Sequence, residues 1–239
     1  AQNLAQQAAR ELAGWVQPGW TEARTADLLN TYLLDHGVAS FFHKAFVWFG
    51  DRTRFAGVKN YSHYSPTHRV VREGEVFILD VAPIVDGYIC DIGYTASLGE
   101  NLEFEKARAV LSQLHQEIPL LFKAETTGGE ICENVAARIR DAGYEPIHQK
   151  YPFAVLGHRV HRSRNEYGQV TLLNFGWQSY WEFLSRGLFG QLLNAHYEGK
   201  LEGLWAIEPH IGGPGFGAKF EQLLWVQDGK AEWLGESLL

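Results

Sequence analysis

The sequence predicts an α+β fold whose strands come as antiparallel hairpins and whose helices come in two similar pairs. Two observations predict it. A passage of helix, glycine-containing break, acid-led helix and glycine stop occurs twice, with a step of about a hundred residues. Around the second copy the apolar period changes to two, and the apolar runs are joined by short Gly-containing turns. In chain order, residues 2–15 place Leu4, Ala8, Leu12 and Trp15 on one helical stripe, and Pro18-Gly19 ends it. Thr21 opens a second helix, with Glu22 and Asp27 on its exposed side, that stops near His36-Gly37. Residues 75–82 read as a buried strand, 85–88 as a turn around Asp86-Gly87, and Ile89 to Ala96 as the returning strand. Asn101 to Lys123 is a long amphipathic helix with Pro119 as a kink or early stop. Thr127-Gly128-Gly129-Glu130 opens a shorter one that ends at Gly143. A second hairpin pairs residues 204–208 with 219–226 across the loop Gly212-Gly213-Pro214-Gly215. The helix repeat points to two related halves within one domain, residues 1–239.

Composition excludes several classes. The chain has 239 residues, 46% apolar and 21% charged, enough to bury a sizeable core. Aromatic residues at 13% rule out a disordered chain. A formal charge of −7 argues against nucleic acid as a partner held by the overall field. No apolar run reaches the ~18 residues of a membrane span, and no secretory signal opens the chain, so no membrane partner is expected. Cys90 and Cys132 are too few for a disulfide framework, which makes a reducing, cytoplasmic setting the default. Methionine is absent altogether, so the first residue is expected to be a processed or trimmed end.

Four carboxylates stand where a charge is costly. Asp80 ends an apolar strand, and Asp91 lies on the returning strand, opposed or diagonal to it. Glu208 follows Leu204-Trp205-Ala206-Ile207, and Glu221 follows thirteen residues later between Phe220 and Gln222. A single strand-end Asp is more often a turn or cap residue, but two similarly built acidic hairpins are seldom an accident. Lysine and arginine do not neighbour the four in equal number, so divalent cations are the expected compensation. Carboxylates with one imidazole suit manganese, cobalt, iron or zinc. The imidazole candidate is His158, at the end of Val155-Leu156-Gly157.

At these residues the chain resembles the pita-bread metallopeptidase family of methionine aminopeptidases, proline-specific aminopeptidases, prolidases and creatinase. The likeness runs from about Trp20 to Leu234 and rests on Gly74 to Val81, on Gly87-Tyr88-x-x-Asp91-x-x-x-Thr95, on Leu156-Gly157-His158, on Ile207-Glu208-Pro209 and on Phe220-Glu221-Gln222. It implies a pita-bread fold, with pseudo-two-fold halves and an antiparallel sheet flanked by helices. It also implies two divalent metal ions held by Asp80, Asp91, His158, Glu208 and Glu221. Glu208 would further act as general base toward a metal-bridging water, the nucleophile. His63 matches a substrate-contacting histidine. The short step from Glu208 to Glu221 is similar to the proline-specific and prolidase branch, although those enzymes usually carry an extra N-terminal domain and none is seen here.

Three departures from the pattern stand out. Arg159 and His161 replace two glycines after His158 and are expected to narrow or recharge the pocket as substrate-binding or catalytic groups. Asn165 occupies the place of a second, catalytic histidine; it can donate a hydrogen bond but cannot carry a proton, so His161 or His196 is the expected substitute. Finally, an insertion-like stretch puts Trp177, Tyr180, Trp181, Leu184 and Leu188 on one helical face. That face is expected to cover its own domain's core, or else to form a lid or a homodimer contact. The leading expectation is a dinuclear-metal aminopeptidase or dipeptidase of the Xaa-Pro type, acting on small peptides. The rivals are creatinase-like chemistry on a non-peptide C–N bond and a non-catalytic binding module.

Overall fold

In the computed structural model, which describes residues 2–162, 171, 172, 174–176, 179 and 187–239, four α-helices form among the described residues. Helix α1 (Gln2–Trp15) buries Ala5, Ala8, Ala9 and Leu12. Trp15, expected on the same stripe, is instead 49% exposed at the helix end, where its ring meets the edge of Tyr32. Helix α2 (Glu22–Asp35) is capped by Thr21, whose hydroxyl accepts from the Arg24 amide. Glu22, expected on the outside, is fully buried. It accepts from the Phe49 amide, Arg52 Nε and the Thr67 amide at 2.9–3.0 Å, so an acidic first-turn residue anchors two later segments. Helix α3 (Leu102–Leu121) is capped by Asn101 and ends two residues after Pro119. Helix α4 (Gly128–Asp141) starts from a capping box between Thr127 and Glu130.

Strand β1 (Ser40–Phe49) lies between α2 and the first acidic hairpin and pairs antiparallel with β2 (Val76–Val85). The sequence pattern does not assign β1, because nearly every residue in it is buried and the period-two signature is lost. From β2 the chain turns at Asp86-Gly87, both at positive φ as a tight hairpin turn requires. It returns as β3 (Tyr88–Ile89) and β4 (Ile92–Ser97), a strand interrupted at Cys90-Asp91 rather than continuous. Then follow β5 (Glu145–Pro146), β6 (Gly157–Val160), β7 (Thr171–Leu172) and β8 (Phe175–Gly176). The last strands are β9 (Leu192–Leu193), β10 (Gly203–Ile207), β11 (His210–Gly213), β12 (Phe216–Lys219), β13 (Gln222–Gln227) and β14 (Lys230–Trp233).

Three antiparallel sheets result among the described residues. One holds β1–β4 with β7 and β8, one runs β14-β13-β10-β6-β9, and one runs β12-β11-β5. The second acidic hairpin spans two of them. Its tip is Pro214-Gly215, its outer pairs join β11 to β12, and its inner pairs join β10 to β13 in the same register. That register sets Glu208 opposite Glu221 at the break between the two ladders. A bridge between Gly93 and Glu221, with amide-to-carbonyl distances of 2.9 and 3.2 Å, then sews the first sheet to this hairpin. Two apolar cores flank the seam, as the helix repeat predicts. One gathers Leu12, Leu29, Leu33, Phe49 and Phe77 under α1 and α2, the other Leu111, Ile118, Val135 and Trp205 under α3 and α4.

Gly157 sets how closely β6 can approach β10. A Cβ there would collide with the Ala206 carbonyl oxygen and lie 2.8 Å from Ile207 Cδ1. Gly157→Ala is therefore expected to cost about 1–3 kcal/mol through forced backbone displacement. Thermal unfolding measures this, and an unchanged Tm is incompatible with the packing described.

Candidate metal centre

The four acidic side chains singled out from sequence converge on the seam between the halves. Asp80 pairs in register with Gly93, and Asp91 sits two residues before Gly93, so the two are diagonal neighbours on one face of the sheet. The break at Cys90-Asp91 and the break at Glu208 and Glu221 both lie at this point. Asp80, Asp91 and Glu221 are buried, and the Glu208 side chain is 13% exposed. His158 enters from β6, paired with Ala206 of β10, and its Nε2 lies 3.1 Å from Asp91 Oδ2 and 3.8 Å from Glu221 Oε1.

Two cations that sequence reasoning misses complete the cluster. His43, buried in β1, places Nε2 3.2 Å from Asp91 Oδ1 and 3.5 Å from Asp80 Oδ1, while its Nδ1 donates to the Lys44 carbonyl at 3.0 Å. Lys219, at the end of β12, places Nζ 2.5 Å from Asp80 Oδ2 and 2.9 Å from both Glu208 Oε2 and Glu221 Oε2. Lysine and arginine still do not match the four acids in number, but one lysine serves three of them. Lys219 stands two residues before Glu221, on the same side of its strand, as period-two alternation requires.

These contacts set the charge states. Burial lowers the His43 imidazole pKa, but Asp91 and Asp80 outweigh it and hold it up at about 9. Burial would likewise lower Lys219, yet Asp80, Glu208 and Glu221 hold its ammonium well above the ordinary range. Burial raises Asp91, but His43 and His158 outweigh it and keep the carboxylate below its usual value. Glu208 is pushed up by burial, against the pull of Lys219. Burial and the neighbouring Asp91 and Glu208 push Glu221 well above the usual carboxylate range. Tyr151, half-buried with its hydroxyl 2.7 Å from His210 Nδ1, faces the same charges and is held well above 10, chiefly by desolvation of that hydroxyl.

Two trios present ligand atoms within 4.8 Å of one another: His43 with Asp80 and Asp91, and Asp91 with His158 and Glu221. By separation both could hold a divalent ion, and the second leaves out Asp80, which Lys219 Nζ approaches to 2.5 Å. Ligands at ~2.0–2.2 Å from a tetrahedral centre stand roughly 3–3.5 Å apart, close to the two separations from His158 Nε2, and the mixed oxygen and nitrogen donors suit a borderline dication. The space enclosed by Asp80, Glu208 and Glu221 does not fit a second ion in this arrangement, because the Lys219 ammonium fills it.

The remaining candidates lie elsewhere. His63 is exposed, with its ring near the Lys59 amide and the Asn60 side chain, on the wall of a cavity of about 370 Å³ shared with Trp48, Arg52 and Phe55. Its neighbour Tyr64 comes closer to the cluster, since burial and Glu208 together raise its hydroxyl pKa. Arg159 does not recharge the pocket. Strand alternation turns it away from His158, and its guanidinium lies 4.4 Å over the Trp205 ring and donates to Tyr197 Oη and to the carbonyls of Lys200 and Glu202. His161 follows the end of β6 and pairs with Gln191 at 2.6 Å. His196 is exposed on a turn. Asn165, Trp177, Tyr180, Trp181 and Leu184 lie outside the described residues, as does the side chain of Leu188. At the start of that stretch, Phe175 packs against Phe42, His43 and Phe46.

The model of metallopeptidase family M24 matches residues 1–228. The chain belongs to that family. A methionine aminopeptidase from Archaeoglobus fulgidus is 26% identical to this M24 chain over 171 residues, 72% of the chain and 56% of the relative. An X-Pro aminopeptidase from Thermotoga maritima superposes with a TM-score of 0.74 at 20% identity, over 98% of the chain and 58% of that structure. A dipeptidase from Pyrococcus horikoshii gives 0.74 and 20%, over 99% and 58%. The prolidase from Pyrococcus furiosus gives 0.70 and 16%, over 99% and 62%. The pita-bread fold implied by the resemblance is thus the fold observed, and the chain spans a little over half the length of these relatives.

His43 gives the centre a pH signature. Its pKa of about 9 in the folded protein exceeds the ~6.5 of an unfolded histidine, so its contribution is complete below pH 6.5 and disappears as pH rises toward 9. The window is worth on the order of 3 kcal/mol. Urea unfolding in the presence of a chelator is expected to show stability falling across it, and His43→Gln to flatten the fall. Equal slopes for the two proteins contradict the ion pairs described.

Proposed function

We propose that this chain is a metal-dependent hydrolase of peptides, an aminopeptidase or dipeptidase that cleaves Xaa-Pro bonds, with residues 1–239 acting as one catalytic domain. The observation that carries the reading is the convergence of Asp80, Asp91, His158, Glu208 and Glu221, from both halves of an M24 chain, on one largely buried point. Asp91, His158 and Glu221 hold the divalent ion, manganese being the leading choice among manganese, cobalt, iron and zinc. Once bound, the ion supplies electrophilic activation of the scissile carbonyl and stabilises the developing oxyanion.

The protein's own groups do the rest. Glu208 accepts the proton of the attacking water and returns it to the departing amine. Burial raises its pKa, which favours its taking up that proton. Lys219 fixes the Glu208 carboxylate through Oε2, leaving Oε1 to take the proton. His63, on the cavity wall beside Trp48 and Phe55, contacts the substrate. The proline preference is supported by the short Glu208-to-Glu221 step and by the names of the structural neighbours. Creatinase-like chemistry loses part of its motivation, because Arg159 faces away from the centre.

No helix among the described residues is long and apolar enough to cross a membrane, and both cysteines are buried and unpaired. Those features support a cytoplasmic setting. A homodimer completes the proposal.

Protein loaded in turn with each of the four metals is expected to hydrolyse an Xaa-Pro dipeptide or a peptide with proline in second position. Glu208→Gln is expected to lower kcat by roughly 10²–10⁴-fold with KM little changed. Full activity in that variant removes Glu208 from the base role, and silence of every metal form toward the whole panel ends the peptidase reading.

A further inference from the structure

We infer that Lys219 is a built-in cation standing at one of the two metal positions of the centre, so that the chain binds a single divalent ion, at Asp91, His158 and Glu221. The inference rests on the reading of the site as a metal centre and deepens it by fixing how many ions it takes.

The first argument is occupancy. An ammonium has three hydrogens to donate, and Lys219 Nζ has three carboxylate oxygens around it, one each from Asp80, Glu208 and Glu221, at 2.5–2.9 Å. A divalent ion serving the same carboxylates needs those oxygens at ~2.0–2.2 Å around its own centre. An ammonium and a dication cannot share that volume, and their like charges would repel strongly in so buried a place.

The second argument is that the chain is built to put the ammonium there. The Lys219 amide donates to Thr95 Oγ1 at 2.9 Å, and the same hydroxyl donates back to the Lys219 carbonyl at 2.7 Å, clamping the backbone from the opposite half. The lysine stem then crosses Gly93. A Cβ at position 93 would lie 2.6 Å from Lys219 Cε and 3.0 Å from Glu221 Cβ, so the bare glycine is the slot through which the stem passes. The residue as a whole is only 2% exposed.

The third argument is the division of ligand atoms. Glu221 spends Oε2 on Lys219 and turns Oε1 toward His158, while Asp91 spends Oδ1 on His43 and turns Oδ2 toward His158. The atoms facing His158 are therefore not those engaged by Lys219 and His43. Glu221 bridges a fixed ammonium on one side and an ion position on the other, as a carboxylate bridges two metals.

Metal content after loading with Mn²⁺ and gel filtration, read by elemental analysis and native mass spectrometry, tests this on the full chain. Wild type is expected to carry one ion, and Lys219→Met, which keeps the stem and removes the charge, is expected to carry two. The two ions of the variant should show a spin-coupled Mn²⁺ spectrum that wild type lacks. Two ions in wild type, or no gain in the variant, overturns the inference. Should Lys219→Met not fold, Lys219→Gln likewise removes the charge and shortens the stem, and is expected to raise the count to two, an unchanged count again being contrary. Xaa-Pro hydrolysis measured on the same samples separates the two readings. A count rising from one to two in protein that cuts no peptide sinks the function and leaves Lys219 in place. Hydrolysis by wild type carrying two ions does the reverse.

Discussion

Four carboxylates meet at the seam of two half-domains, and their mutual repulsion is the constraint that the surrounding structure answers. Two like charges 4 Å apart cost about 4 kcal/mol even at an effective dielectric constant near 20. Basic side chains must reach the seam from elsewhere, and each comes on a different element: His43 on β1, His158 on β6 and Lys219 on β12. The backbone is arranged to admit them. Strand pairing is interrupted at Cys90-Asp91 and again at Glu208 and Glu221, so these side chains leave the regular pleat where the two halves touch. The Gly93–Glu221 bridge fixes the distance between the halves and thereby the size of the space that the charges enclose.

Much of this was legible in the sequence because it follows from local rules. Helix α1 runs over the predicted residues, Thr127 and Glu130 form the cap that their spacing announces, and the Asp86-Gly87 turn sets the register that makes Asp80 and Asp91 neighbours. Glu208 and Glu221 face each other for the same reason, since a two-residue turn at Pro214-Gly215 fixes every later pair of the hairpin. Position within a known motif then named His158. What local rules could not supply was β1, whose uniform burial erases the alternation by which half-exposed strands are recognised.

The missed site residues share one cause. His43 lies in that unassigned strand, and Lys219 reads as an ordinary strand lysine until the pairing shows that it shares a face with Glu221. A signal was present for both: a histidine inside a run of aromatic residues and a lysine inside an apolar hairpin each demand a buried partner. Arg159 shows the opposite error. It adjoins His158 in sequence, but neighbours along a strand point to opposite faces, and its guanidinium serves Trp205 and Tyr197 in the other layer. Glu22 was misjudged because helical periodicity cannot see the later segments that fold over a first turn.

A lysine and a divalent ion are not equivalent answers to the same repulsion. The ammonium neutralises one charge, donates hydrogen bonds to Glu208 and Glu221, pairs with Asp80 and has no vacant orbital, so it can hold all three but cannot polarise a carbonyl as a metal does. Buried ion clusters of this kind add little net stability, because desolvation offsets most of the attraction; their value lies in fixing geometry. On that view the seam is divided by function. The Lys219 side holds three carboxylates in register, and under the proposed function electrophilic chemistry would fall to the side of Asp91, His158 and Glu221. Glu208 stands at the boundary, with one oxygen held by the ammonium, which is where a base must stand to serve a reaction on the other side.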